Sequence, residues 1–204
     1  MAHLRLVKPA TETTAAFTHV NRLGVRFYLH EGKTKTGKPR YFFARDIRNG
    51  TLVELPEGYE VSESINGVVS VRRKKPGEVS IPPADVKVVE AAVERHRHLR
   101  SFKVRAIGNT IQVFEPHPRP EELRAFAKTA YFMGRMENFV EERMKKAQYA
   151  PVMKFEMEGD QYVVYRMTYR GRGGWSWPLG TGKLENLVKK FLPAVGTEKF
   201  FELM

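Results

Sequence analysis

The segment "HEGKTKTGKPRYFFAR", residues 30–45, carries Gly32, Gly37 and Lys38 at the G-x-x-x-x-G-K spacing of a phosphate-binding loop. A true loop of that kind has Ser or Thr after the lysine, because that hydroxyl binds magnesium. Its lysine also opens a helix whose free amides point at phosphate. Here Pro39 follows Lys38, and Arg40-Tyr41-Phe42-Phe43 comes next, a run of strong strand formers. The context is strand–turn–strand, so nucleotide hydrolysis at this site is excluded and antiparallel β structure is expected.

If Thr36 and Gly37 form a two-residue turn, Lys35 faces Lys38 and Lys33 faces Arg40. Side chains two apart on a strand share a face. All four cations then gather on one face of the tip with Glu31 and Phe42, while Tyr28, His30, Tyr41 and Phe43 share the other. Like charges placed opposite each other destabilise a ladder, so a ligand is the natural reason for such an arrangement. A basic ribbon suits a nucleic-acid groove and an aromatic face suits unpaired bases. The grouping depends on the register, because a slip of one residue scatters the cations over both faces. The same lysines also suit a solvated turn, with the aromatic residues in the core.

Working outward, Val25, Phe27 and Leu29 alternate with Arg26, Tyr28 and His30 in the period of a strand. "TLVEL", "YEVSE" and "VVSVRRK" follow, separated by "RNG", "PEG" and "NG" turns. An antiparallel β module is therefore expected over 23–76, after a poorly structured lead-in over 1–22. "KKPGEVSIPPAD" breaks the pattern, and an α+β domain is expected over 82–204. Its first helix begins near Pro83 and carries Val86, Val89, Val93 and His96 on one face. A hairpin turns on Gly108-Asn109. One long helix from Pro120 then carries Leu123, Phe126, Ala130, Met133, Val140 and Met144, with Gly134 as a weak point. A second hairpin turns at Gly159-Asp160, and a last helix points Leu184, Leu187, Val188 and Phe191 inward.

The 204 residues are enough to bury a core, and 42% are apolar. Lys and Arg number 35 against 23 Asp and Glu, a net charge of +12, and the pI is near 9.9. That balance favours a negatively charged partner, nucleic acid first. The absence of cysteine removes disulfides, thiolate zinc sites and cysteine nucleophiles. No stretch approaches the roughly 20 apolar residues of a membrane span, and the N-terminus has no apolar signal region. A soluble, cytoplasmic protein is expected.

Other candidate sites are weaker. "GRGGWSWPLGTGK" runs from a strand to a helix start, where Arg170, Arg172 and Lys183 offer charge to a phosphate, and Trp175 and Trp177 offer stacking surfaces. Its glycine spacing fits neither the phosphate loop nor the dinucleotide fingerprint. Arg72, Arg73, Lys74 and Lys75 could contact phosphates or pair with the neighbouring glutamates. His96, His98 and His117 lack metal-ligand spacing. Three aspartates, Asp46, Asp85 and Asp160, are few for a metal-dependent nuclease. Glu156, Glu158 and Asp160 read as a solvated hairpin tip.

The expectation is an α+β protein that binds nucleic acid without catalysis. Lys33, Lys35, Lys38, Arg40 and the run from Arg72 to Lys75 would meet phosphates, and Tyr28, Tyr41, Trp175 and Trp177 would stack on bases. No cofactor and no metal is called for. Two alternatives remain: a scaffold or regulatory subunit for an acidic protein partner, and an enzyme or binding protein for a phosphorylated small molecule.

Overall fold

A computed structural model describes residues 16–74, 80–129, 136–168 and 174–203. The chain is a mixed α+β fold and divides into two compact units, Met1–Pro76 and Gly77–Met204.

In the first unit β1 (Thr18–Val20), β2 (Arg26–Lys33) and β3 (Pro39–Ala44) form an antiparallel sheet in that order. A two-stranded ribbon, β4 (Tyr59–Glu63) and β5 (Val69–Arg73), completes the unit. Strand β1 falls inside the expected lead-in, and a buried asparagine is the reason. The Asn21 amide oxygen accepts hydrogen bonds from the Leu23 and Val25 amides at 3.0 and 2.9 Å. Its nitrogen donates to the Gly67 carbonyl at 2.7 Å. This turn folds the polar, Thr-rich segment back onto β2, a long-range tie that local composition does not report. "TLVEL" is not a strand either. Thr51 makes a single bridge to His30 and its hydroxyl meets the His30 ring at 3.2 Å, while the Gly50 carbonyl accepts from the Glu31 amide and the Leu52 amide donates to the Leu29 carbonyl of β2.

The second unit opens with α1 (Pro83–Arg95), with proline in its first turn where no amide bond is lost. Strands β6 (Lys103–Ile107), β7 (Thr110–His117), β8 (Gln148–Glu158), β9 (Gln161–Arg166) and β10 (Gly180–Gly182) form one antiparallel sheet in which chain neighbours pair. Gly108-Asn109 and Gly159-Asp160 are its two-residue turns, as expected from the sequence. Between β7 and β8 stand α2 (Pro120–Thr129) and α3 (Met136–Lys145). They correct the single long helix: the Phe126 and Phe139 rings lie 6.3 Å apart, whereas 13 residues of one straight helix span about 20 Å. Phe126 is correspondingly exposed. After β10 come α4 (Leu184–Phe191) and α5 (Lys199–Glu202).

One face of the sheet is the core. Ile111, Val113, Met153, Phe155, Tyr162 and Val164 pack with Val89 and Val93 of α1 and with Leu184, Leu187, Val188 and Phe191 of α4. Each such buried apolar side chain contributes about 1.5–3 kcal/mol. The glycine of β10 has a packing role, because a Cβ on Gly180 would come within 3.2 Å of the Phe191 ring. No described helix is long and apolar enough to cross a membrane.

Candidate nucleic-acid interface

The β2–β3 hairpin has a different register from the one a two-residue turn implies. Lys33 pairs with Pro39, Gly32 with Arg40, Glu31 with Tyr41 and His30 with Phe42. The connection holds three residues. The Thr34 amide donates to the Lys38 carbonyl at 2.8 Å, and the Gly37 amide donates to the Thr34 carbonyl at 2.9 Å. The Thr34 hydroxyl accepts from the Lys38 amide at 3.1 Å. Gly37 takes a left-handed conformation, φ +78°, the residue type and geometry that end such a connection.

This shift of one residue splits the expected cation cluster. Lys33 now shares a face with Glu31 and Tyr41, while Lys38 and Arg40 lie on the other with His30 and Phe42. The aromatic face divides in the same way. Tyr28 joins Phe42 and a fully buried His30, whose ring stacks on Phe42 at 5.5 Å. Tyr41 turns to the ribbon and meets Tyr59 edge-on at 4.9 Å. Tyr28 and Tyr41 are thus half-buried parts of the fold. The charge at the tip survives the correction: Lys33, Lys35, Lys38 and Arg40 are all exposed. Among the described residues no carboxylate pairs with any of them.

The basic run on β5 is largely engaged. Arg72 pairs with Glu60 at 2.5 Å, and Arg73 donates to the Tyr59 hydroxyl at 3.1 Å. Lys74 is exposed, and Lys75 lies outside the described residues. Pairing with the glutamates of β4, one of the two readings the sequence allowed, holds for Arg72.

In the second unit a row of side chains missed from sequence runs across the face away from α1 and α4. Strand pairing aligns Arg105 of β6, Gln112 of β7, Lys154 of β8 and Tyr165 of β9. All four are partly exposed. The Lys154 ammonium lies 4.4 Å from the Tyr165 ring centre and 5.3 Å from that of Trp175. Glu156 accepts a hydrogen bond from it at 2.6 Å. Trp175 is fixed by a bridge to Met167, and Trp177 beyond it is 86% exposed. Burial, followed by the charges of Glu156 and Glu158, raises the pKa of Tyr165 above the ordinary tyrosine value. The phenol therefore remains a neutral donor at physiological pH. Lys183 stands at the N-cap position of α4 without a side-chain capping bond and is exposed; Arg170 and Arg172 lie outside the described residues.

Two aromatic rings flanking one ammonium form a rigid, partly dry platform on which a flat group can stack. The period-two pattern of Lys103 and Arg105, and of Lys154 and Glu156, is visible in the sequence. Their alignment with Tyr165 is not, because it depends on pairing among four strands. The His96 and His98 rings lie 5.8 Å apart. Among the described residues no group of three or more His, Asp or Glu is placed to hold a metal ion. No protein-family model matches the chain, and no curated protein or solved structure is significantly similar to it.

Proposed function

We propose that the protein binds single-stranded nucleic acid without catalysis, stacking bases on Tyr165, Trp175 and Trp177. The observation that supports this reading is the Lys154 ammonium held against the Tyr165 and Trp175 rings on a partly exposed sheet face. Lys154 is neutralised by Glu156, so its part is to orient the rings. Phosphate contacts beside these rings fall to Arg105 and Lys183, and the exposed hairpin cations Lys33, Lys35, Lys38 and Arg40, with no carboxylate partner among the described residues, form a separate basic patch on the first unit. Gln112 offers an amide to a base edge. A cytoplasmic setting suits a basic chain without cysteine.

Fluorescence anisotropy of labelled single-stranded DNA, RNA and duplex DNA, titrated at several salt concentrations, tests the reading. Binding of the single strands that weakens linearly in log salt is expected, with duplex weaker. No binding to any of the three at low salt would overturn it.

A second reading is a scaffold for an acidic protein partner. The exposed Val20, Leu23, Ile47, Val53 and Val68, all in the first unit, favour it. Co-purification of a protein free of nucleic acid supports that alternative.

A further inference from the structure

We infer that a groove in the second unit, apart from the sheet face, binds a small phosphate monoester with a flat, apolar body. The groove has a volume of about 1210 Å³ and lies between the turn after α1 and the α2–α3 pair. Small-ligand sites commonly enclose roughly 300–1,000 Å³, so a mononucleotide-sized molecule fits with room to enter.

Its chemistry is divided. Arg97 and Arg100 stand on one wall and Arg124 on another, while Val140 and Met144 supply an apolar surface from α3. The lining carboxylates are already matched: Glu121 lies 3.9 Å from Arg124 and Glu141 lies 3.1 Å from Lys145. Arg97 and Arg100 are exposed and have no ion-pair partner among the described residues. Two uncompensated guanidinium groups suit a group of charge near −2 at neutral pH, which is what a phosphate monoester carries. Their planar forks also match its oxygens two at a time. The buried Val140 and the flexible, polarisable Met144 suit an aromatic body, sulfur packing well against ring edges. A bare anion would leave that surface unused, and a neutral ring would leave the arginines unpaired.

Isothermal titration calorimetry of the full chain tests this with adenosine 5′-monophosphate as the probe, beside inorganic phosphate and adenosine. The monophosphate is expected to bind more tightly than either fragment. Its affinity should fall at least about tenfold in R97A/R100A, and should hold in a control lacking the exposed Lys87 and Lys189, which removes the same charge elsewhere. Met144→Glu should lower the affinity further for the monophosphate than for inorganic phosphate. The inference is overturned by no binding of the monophosphate up to about 1 mM. Unchanged affinity in R97A/R100A with a native circular dichroism spectrum overturns it too. Each outcome is independent of the sheet-face reading, whose variants lie on other residues.

Discussion

The ammonium of Lys154 stands 4.4 Å from the centre of the Tyr165 ring, its cross-strand partner on β9. With Glu156 accepting its hydrogen bond, the lysine is a fixed support and not a free charge. Trp175→Ala should therefore weaken single-strand binding by about 1–3 kcal/mol, one stacked base. Lys154→Met should weaken it less and leave the slope against log salt unchanged, because no phosphate contact is lost. Anisotropy titrations of the two variants at three salt concentrations check both outcomes.

The hairpin tip has the opposite signature. Replacing Lys33, Lys35, Lys38 and Arg40 together with alanine should flatten the salt slope by up to about 3, since each phosphate contact on a single strand contributes roughly 0.7. Because all four side chains are exposed, the melting temperature should stay nearly constant. An unchanged slope would remove the tip from the interface.

Gly50 and Gly37 both have positive φ, at +88° and +78°, yet they differ in surroundings. A Cβ on Gly50 would lie 2.6 Å from the Glu31 carbonyl oxygen, whereas one on Gly37 meets nothing within 4 Å. Gly37→Ala should cost about 1–2 kcal/mol from conformation alone. Gly50→Ala adds displacement of the segment that bonds β2, and should cost clearly more. Urea denaturation of the two variants gives the comparison.

Tyr162 donates a 2.6 Å hydrogen bond to Asp85 of α1. Burial first, then that bond and the charges of Asp85 and Glu185, raise its pKa well above the ordinary tyrosine value. A raised pKa means that the folded state retains the proton which the unfolded chain releases near pH 10. The stabilisation is thus complete below about pH 10 and is lost as pH climbs from there toward the folded value. Tyr162→Phe should be less stable than wild type at pH 8, and the gap between them should narrow above about pH 10. Denaturant melts of both proteins across that range measure it.

Glu115 is a buried carboxylate near the end of β7, and the Arg119 guanidinium lies directly against it. Arg119 also donates to the Gly196 carbonyl at 3.3 Å. Arg119→Met leaves the carboxylate buried without its cation and should cost about 3–5 kcal/mol. The double variant with Glu115→Gln should recover part of that loss, as read by thermal unfolding.

The sequence by itself determined the α+β class, the rejection of the phosphate loop and both two-residue turns of the large sheet. It also determined the inward faces of α1 and α4. Each rests on local chemistry: Pro39 where a hydroxyl was needed, Gly108 and Gly159 between alternating strands, and Leu184, Leu187, Val188 and Phe191 at helical period. Tertiary structure decided what depends on distant residues. Strand β1 exists because Asn21 reaches Gly67. From Pro120 the chain forms α2 and α3 in place of one straight helix, as the 6.3 Å between the Phe126 and Phe139 rings requires. The hairpin cations divide over two faces because Thr34 and Gly37 define a three-residue connection, and the strand period of two turns a one-residue shift into a change of face. Lys154, Tyr165 and Trp175 meet for the same kind of reason: the pairing of β8 with β9 and the bridge at Met167 bring them together, and no local spacing records either.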